Sequence, residues 1–376
     1  MHGFLEHRDG YTTVLTNTPI RENVPLAPLT TLGVGGPARY FTEVHHEDAL
    51  RQAISWARSR KLPFFVLGGG SNLVVADEGF QGLVIRINVP GINHRHDWEH
   101  HVQFDVGAGE EWDSFVAATI AHNCAGIENL SGIPGTVGGT PVQNVGAYGQ
   151  EVSETIEEVT AYDTQTDAVV TLQNSECGFA YRASIFNTTE KGRYVVLRVS
   201  FRLLHDGKPN LKYADLQKHF AEHNGTPSLQ EVREAVRQIR LSKAMLIVPG
   251  DEDCRSAGSF FKNPIVSIAE KDKVFAIAQQ RKIDRLPSTY PATEGNVKLP
   301  AAWLVEQSGF HKGYGKGPAG ISRRHTLALV NRGGAKASDI IALKNEVQRG
   351  VKETFGVDLH PEPVFLGFEN VYSEER

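Results

Sequence analysis

The sequence predicts an α+β protein of two or three domains. Segments with strand character gather early in the chain, and segments with helical periodicity become more frequent late. At about 150 residues per domain, 376 residues exceed one domain. Hydrophobic residues make up 40% of the chain, enough to fill the cores this requires. No internal repeat is present.

Residues 45–61 predict an amphipathic helix, with Leu50, Ile54, Trp56 and Ala57 near one face. An apolar run over 62–67 follows and ends in Gly68-Gly69-Gly70-Ser71-Asn72. Residues 39–44, 83–87 and 102–106 read as strands, the last two with Gly close behind. Between those two lies a polar, His-rich segment over 93–101. Residues 110–123 predict a helix, and 158–162 and 194–204 predict strands. The stretch 206–257 reads as mostly helical and polar. Within it Ser228 and Glu231 form a capping box that opens a helix to about Lys243. Helices over 267–281, 300–308 and 338–355, and late strands over 321–330 and 359–366, complete the pattern.

Composition removes several function classes. Lys plus Arg is 39 and Asp plus Glu is 44, a net charge of -5, which argues against nucleic acid as a partner. Cys124, Cys177 and Cys254 form no CxxC pair, so neither a zinc ribbon nor a dithiol redox motif is expected. So sparse a set fits a reducing cytosol. Residues 1–13 carry His, Glu, Arg and Asp where a signal peptide needs an apolar stretch. The long uncharged run 129–150 is too rich in Gly and Pro for a membrane span. A cytoplasmic location and no membrane span are the expectations.

Two segments match the dinucleotide-binding fingerprint: Gly33-Val34-Gly35-Gly36-Pro37-Ala38 and Gly315-Lys316-Gly317-Pro318-Ala319-Gly320. That motif needs a helix after the glycines, so that phosphate meets a helix N-terminus. Each is followed by a strand-like run instead, so both read as glycine turns entering strands. The segment Gly68 to Asn72 is different. Successive glycines let backbone N–H groups converge on an anion such as a pyrophosphate; the alternative is a flexible loop between two strands. Asn129-Leu130-Ser131-Gly132-Ile133-Pro134-Gly135-Thr136-Val137-Gly138-Gly139, continuing to Gly149, either wraps a large ligand or forms a surface Ω-loop. His94, His96, His100 and His101 read as a solvated hairpin tip. No Glu or Cys pattern completes a zinc site there, and no metal is expected.

Three further segments carry candidate chemistry. Tyr181-Arg182-Ala183-Ser184-Ile185-Phe186 sets an Arg among apolar neighbours, suited to gripping a carboxylate or phosphate, or to a structural ion pair. Gly258-Ser259-Phe260-Phe261-Lys262-Asn263-Pro264 holds a Ser that is either a proton donor or a turn residue. No GxSxG elbow accompanies it. His360-Pro361-Glu362-Pro363 holds one carboxylate between prolines.

These segments, in this order, resemble the UDP-N-acetylenolpyruvoylglucosamine reductases (UDP-N-acetylmuramate dehydrogenases), flavoenzymes of peptidoglycan precursor synthesis and so of cell-wall biogenesis and cell division. The resemblance runs from about residue 23 to 367. It implies an FAD-binding fold of the vanillyl-alcohol-oxidase (PCMH) kind, in two subdomains over 1–88 and 89–205. A C-terminal α+β substrate-binding domain over 206–363 follows, with the final strand, near 364–376, returning to the first subdomain. Leu211-Lys212-Tyr213-Ala214-Asp215-Leu216 resembles the tyrosine-bearing loop of type I members.

The implied reaction is NADPH-dependent reduction of the enolpyruvyl group of UDP-N-acetylglucosamine enolpyruvate. Hydride would pass from reduced, non-covalent FAD to C3, and a proton from Ser259 to C2. Arg182 and Glu362 would hold and polarise the substrate carboxylate beside Ser259. Gly68, Gly69, Gly70, Ser71 and Asn72 would take the FAD pyrophosphate. Ser131, Gly132, Ile133, Pro134, Gly135, Gly138, Gly139 and Gly146 would pass along the cofactor. Tyr148, Tyr213, Lys243, Asn263 and Gln307 would line the UDP-sugar and NADPH pocket. A monomer is the default expectation. The alternative is an FAD-dependent alcohol or sugar oxidase of the same fold, against which Ser259 and Glu362 argue.

Overall fold

The structure, a computed structural model, describes residues 19–97, 100–292 and 295–368. The N-terminal stretch 1–13, residues 98–99 of the His-rich segment and 369–376 of the expected final strand lie outside the described residues.

The first sheet is four-stranded, in the order Arg21–Pro25, Pro37–Val44, Phe80–Ile87, Phe64–Leu67. Its outer Arg21–Pro25 strand pairs antiparallel, and the other neighbours are parallel. Parallel strands of one sheet need a crossover, which α1 (Glu47–Ser59) supplies between Pro37–Val44 and Phe64–Leu67, on either side of Phe80–Ile87. At its start the His46 ring accepts from the Ala49 N–H, and Glu47 and Asp48 sit in the first turn, where the helix dipole favours acids. Ala49, Leu50, Ala53, Ile54 and Ala57 recur at helical spacing and are all buried. Trp56 is only partly buried, its ring 5.0 Å from that of Tyr40.

The second sheet is antiparallel, in the order Ala168–Gln173, Ile156–Asp163, Tyr194–His205, His101–Gly107, Ile92–His96, with Cys124–Ala125 paired to the end of Tyr194–His205. Helix α2 (Trp112–Ala121) packs on it through Trp112 and Phe115, whose rings lie 5.9 and 5.0 Å from that of Phe201. One continuous core joins α1, the inner faces of both sheets and α2. The described part of the His-rich segment lies in and beside the antiparallel strands Ile92–His96 and His101–Gly107, the first of which is exposed. Among the described residues, no group of three or more His, Cys, Asp or Glu is placed to hold a metal.

The C-terminal half carries α3 (Ala214–His219), α4 (Leu229–Ser242), α5 (Ile268–Gln280), α6 (Ala301–Gln307) and α7 (Ala337–Phe355) around short strands. Its core also takes in Leu32, Val34 and Val74 from the first half. The strand Val364–Leu366 pairs parallel with Leu73–Val75. No helix among the described residues is long and apolar enough to cross a membrane.

Three expected elements differ. The stretch 206–257 holds only α3, α4 and a single short turn at Glu252–Cys254, because Pro209, Gly225, Pro227, Pro249 and Gly250 break the helical pattern. The expected strand 321–330 is two short strands, Ala319–Ile321 and Leu329–Asn331. Between them Ser322 Oγ accepts from the N–H groups of Arg324 and His325, replacing ladder bonds with a side-chain turn. The expected strand 359–366 is regular only over Val364–Leu366, because Pro361 and Pro363 have no N–H to give a ladder.

The second fingerprint match has its own explanation. The Arg332 guanidinium donates to the carbonyls of Gly313, Tyr314, Gly315 and Ile321. A Cβ at Gly320 would lie 2.2 Å from Arg332 Cζ. This loop presents carbonyls to a cation, the opposite of a phosphate cradle.

Candidate active site

Two glycine-rich segments meet backbone to backbone. A Cβ at Gly69 would lie 2.5 Å from Gly135 Cα, one at Gly70 would lie 1.9 Å from the Leu29 carbonyl, and one at Gly135 would lie 2.9 Å from Ser71 Oγ. Gly70 and Gly135 also adopt φ of +65° and +128°. Among the described residues, the N–H groups of Gly68, Gly69, Gly70, Ser71 and Asn72 have no acceptor in the protein, nor do those of Gly135 and Thr136. Thr136 Oγ1, beside Gly68, is buried without a partner. Donors left open along a close-packed glycine junction fit an anionic group such as the FAD pyrophosphate.

The remainder of the second segment is bonded within the protein. Ser131 Oγ donates to the Glu128 carbonyl at 2.6 Å and Ser131 is fully buried, so 129–150 is not a surface loop. The Gly132 N–H donates to Asp113, and the Ile133 N–H to the Leu130 carbonyl. Gly138 packs on Ala108, while Gly139 faces open space. Pro134 lies between these bonded residues and the open donors of Gly135 and Thr136.

Arg182 is the second central residue of a tight turn closed by mutual Ala180–Ala183 backbone bonds. Its φ is +54°, a conformation usually left to Gly or Asn. The turn aims its guanidinium at Glu362: Arg182 Nε lies 3.1 Å from Glu362 Oε1. That buried N–H is not aligned for a hydrogen bond to any partner. Arg182 Nη2 donates to the Gly146 carbonyl at 2.8 Å, which places Gly146 against Arg182.

Glu362 is held by its own backbone. Its N–H donates to the Phe260 carbonyl at 2.8 Å, and the Lys262 N–H donates to the His360 carbonyl. Phe260 in turn donates to the Leu327 carbonyl. These bonds bring the segment carrying Ser259 alongside the one carrying Glu362. Ser259 is half-buried and its hydroxyl has no partner among the described residues; Gly258 before it adopts φ +75° with open space where a Cβ would stand. Burial pushes the Glu362 carboxyl above the usual carboxylate range, against the pull of Arg182 and Lys262. Asn72 joins this centre to the glycine junction: its Nδ2 donates to Gln143 and to the Glu362 carbonyl, and its own carbonyl accepts from Val364.

Tyr148, Tyr213 and Lys243 come together. The two rings are 5.3 Å apart and edge-on, and Lys243 Nζ lies 5.7 Å over the Tyr148 ring and 2.6 Å from Asp215. The remaining two expected pocket residues are placed by α6. Asn263 Oδ1 accepts from the Ala301 N–H and so caps α6. Gln307, at the other end of α6, lines a cleft of about 640 Å³ with Lys282, Arg285, Tyr290 and Trp303.

Sequence reasoning missed three residues here. Lys298 Nζ stacks 4.3 Å over the Tyr181 ring, beside Arg182. Arg240 is buried and bonds the Gly132 and Met245 carbonyls and Tyr148. His325 Nδ1 accepts from the Leu327 N–H, which leaves the proton of the neutral ring on Nε2. Burial, then the nearby charges of Lys243, Lys312 and Arg240, lower the His325 pKa to about 4. The one available signal was the spacing of Arg240 and Lys243, one turn apart at the end of a capped helix.

An α+β fold with an open-donor glycine junction and a half-buried carboxylate–arginine centre fits a flavin-binding oxidoreductase. Residues 38–172 match the family model described as FAD binding domain, and residues 249–366 match that of UDP-N-acetylenolpyruvoylglucosamine reductase, C-terminal domain. The UDP-N-acetylenolpyruvoylglucosamine reductase of Thermobifida fusca is 49% identical, over 93% of this chain and 99% of that one. That of Streptomyces avermitilis is 46% identical, over 92% and 95%. The crystal structure of the Thermus caldophilus reductase superposes with a TM-score of 0.61 at 27% identity, covering 93% of this chain and 99% of that one. The chain belongs to the UDP-N-acetylenolpyruvoylglucosamine reductase family.

Proposed function

We propose that this chain reduces the enolpyruvyl ether of UDP-N-acetylglucosamine enolpyruvate to the lactyl ether, with NADPH as reductant, in cytoplasmic peptidoglycan precursor synthesis. In this reading 1–88 and 89–205 hold FAD, 206–363 hold the sugar nucleotide, and the working unit is a monomer. The observation that carries the reading is the half-buried Arg182–Glu362 pair, whose Glu362 backbone is bonded to Phe260, next to Ser259 and its free hydroxyl. FAD, held by the open N–H groups of Gly68 to Asn72, Gly135 and Thr136, would supply the two-electron chemistry that links NADPH to C3 of the enolpyruvyl group.

The chain's residues handle charge and proton. Hydride arrival at C3 puts negative charge on C2 and, by conjugation, on the substrate carboxylate. Arg182 meets that charge with its guanidinium; the Nε N–H without a hydrogen-bond partner supports this role. Glu362, whose burial favours the protonated form, donates a hydrogen bond to the same carboxylate. Ser259 Oγ–H gives its proton to C2 and regains one from water. A serine hydroxyl is a weak acid and serves here only because it faces a strongly basic carbon. Lys243, with Tyr148 and Tyr213, faces the diphosphate, and His325 adds a neutral Nε2–H donor to that pocket. Asn263 and Gln307 line its margins.

Replacing Ser259 separates the two half-reactions. Ser259→Ala is expected to leave flavin reduction by NADPH within about twofold of wild type and to slow reoxidation by the enolpyruvyl sugar about 10²–10⁴-fold, the usual worth of an acid–base group. Stopped-flow absorbance reads both. Equal slowing of the two half-reactions would remove Ser259 from the proton-donor role.

A further inference from the structure

The backbone of Gly132 is held at both its N–H and its carbonyl by charged groups that the chemistry above does not use. Its N–H donates to Asp113 Oδ1 at 2.5 Å, and its carbonyl accepts from Arg240 Nε at 3.0 Å. Asp113 also grips α4. Arg233 bonds it with both terminal nitrogens, at 2.6 and 3.0 Å, and Arg237 bonds Oδ2. Arg233, Arg237 and Arg240 recur at i, i+4 and i+7, so one face of α4 carries all three. The Asp113 and Arg233 side chains are only 17% and 12% exposed, so solvent screens their pairing little.

Burial pushes the Asp113 carboxyl up, but the Arg233 and Gly132 bonds outweigh it and hold the group below the usual range. Gly132 itself tolerates little change: its φ is +74°, and a Cβ would lie 2.9 Å from Leu246 Cδ1. What this clamp joins is specific. On one side the chain runs from Gly132 to Gly135 and Thr136, at the glycine junction. On the other, α4 runs through Arg240 to Lys243, which meets Tyr148 and Asp215.

We infer that Asp113 is a positioning residue, which sets the spacing between the cofactor loop and the Lys243 end of α4. The inference rests on the proposed function, since it takes the loop to face FAD and Lys243 to face the sugar nucleotide. Asp113 touches neither. It acts through the Gly132 peptide and the arginines of α4, so its loss loosens both binding steps together.

The test compares Asp113→Ala, Asp113→Asn and Arg237→Gln, each loaded with FAD. Asp113→Asn keeps the shape and an acceptor for Gly132 but not the charge. Arg237→Gln removes one ion pair without touching Gly132. The readouts are the FAD dissociation constant by flavin fluorescence, the visible circular dichroism of bound flavin, and KM against kcat for the enolpyruvyl UDP-sugar. Asp113→Ala is expected to raise the FAD dissociation constant and the KM at least tenfold each and to change the visible circular dichroism. Arg237→Gln is expected to stay within threefold on both constants. Asp113→Asn falls between them, and carries the test by itself if Asp113→Ala does not fold. Variants at Asp113 that unfold more easily yet keep both constants and the flavin spectrum within twofold would reduce the cluster to a structural ion pair. Wild-type protein that fails to bind FAD would overturn the proposed function instead.

Discussion

Glu362 and His325 are both driven toward their neutral forms by burial, and for groups of opposite charge this means opposite pKa directions. For Glu362 the folded value lies above the unfolded one, so the folded state holds its proton longer as pH rises. For His325 the folded value, about 4, lies below the ordinary 6.5. Between those values the unfolded chain takes up a proton that the folded chain refuses. Stability from this group is therefore complete above about pH 6.5 and is lost as pH falls toward 4, by about 3 kcal/mol in all. Replacing His325 by Gln is expected to flatten the denaturation midpoint against pH across that window. An unchanged slope would mean that the ring titrates normally.

At this scale the sequence was legible where chemistry and neighbourhood coincide. Arg182 among apolar residues and Glu362 between prolines could be singled out, and they lie 3.1 Å apart. Lys298, Arg240 and His325 could not, because Lys298 and Arg240 meet Tyr181 and Tyr148 from far along the chain, and His325 is buried beside the equally distant Lys243 and Arg240. The positive φ of Arg182 was equally hidden, since turn preferences point to Gly or Asn there.

Among the elements, α7 shows how distant parts of the chain finish one another. Its own Asp339 accepts only from the N-cap N–H of Lys336. Asp77, beyond the strand Leu73–Val75, accepts from the N–H of Ala337 at 2.7 Å and of Ser338 at 3.0 Å. Burial raises the Asp77 pKa, but the bonds from Ser338 and Ala337 win and hold it below the usual range. Asp77→Ala is expected to cost about 1–2 kcal/mol in urea unfolding, the worth of a helix N-cap; a loss under about 0.3 kcal/mol would show the cap to be idle. Helices such as α1 and α4 were readable because apolar spacing and caps lie within one segment. The two strands flanking Ser322 were not, because a serine side chain and a distant carboxylate, Asp253, turn that loop.

Across the whole molecule, the candidate site lies where two cores meet. Thr31 donates its N–H to the Gly70 carbonyl and its hydroxyl to the Ser256 carbonyl at 2.7 Å. Asn331 donates to the Leu32 and Gly33 carbonyls, and Val364–Leu366 pairs with Leu73–Val75 beside the glycine junction. Segments from residue 31 to residue 366 thus converge, which is why the order of motifs was legible and their juxtaposition was not. The central claim is that this junction runs two half-reactions on one flavin. Anaerobic absorbance of the purified protein, with NADPH added first and the enolpyruvyl UDP-sugar second, tests it most directly. The expected result is a flavin band that bleaches with NADPH and returns with the sugar nucleotide in the absence of oxygen. A band that bleaches and returns only when oxygen is admitted would contradict it, and would favour an oxidase on the same fold.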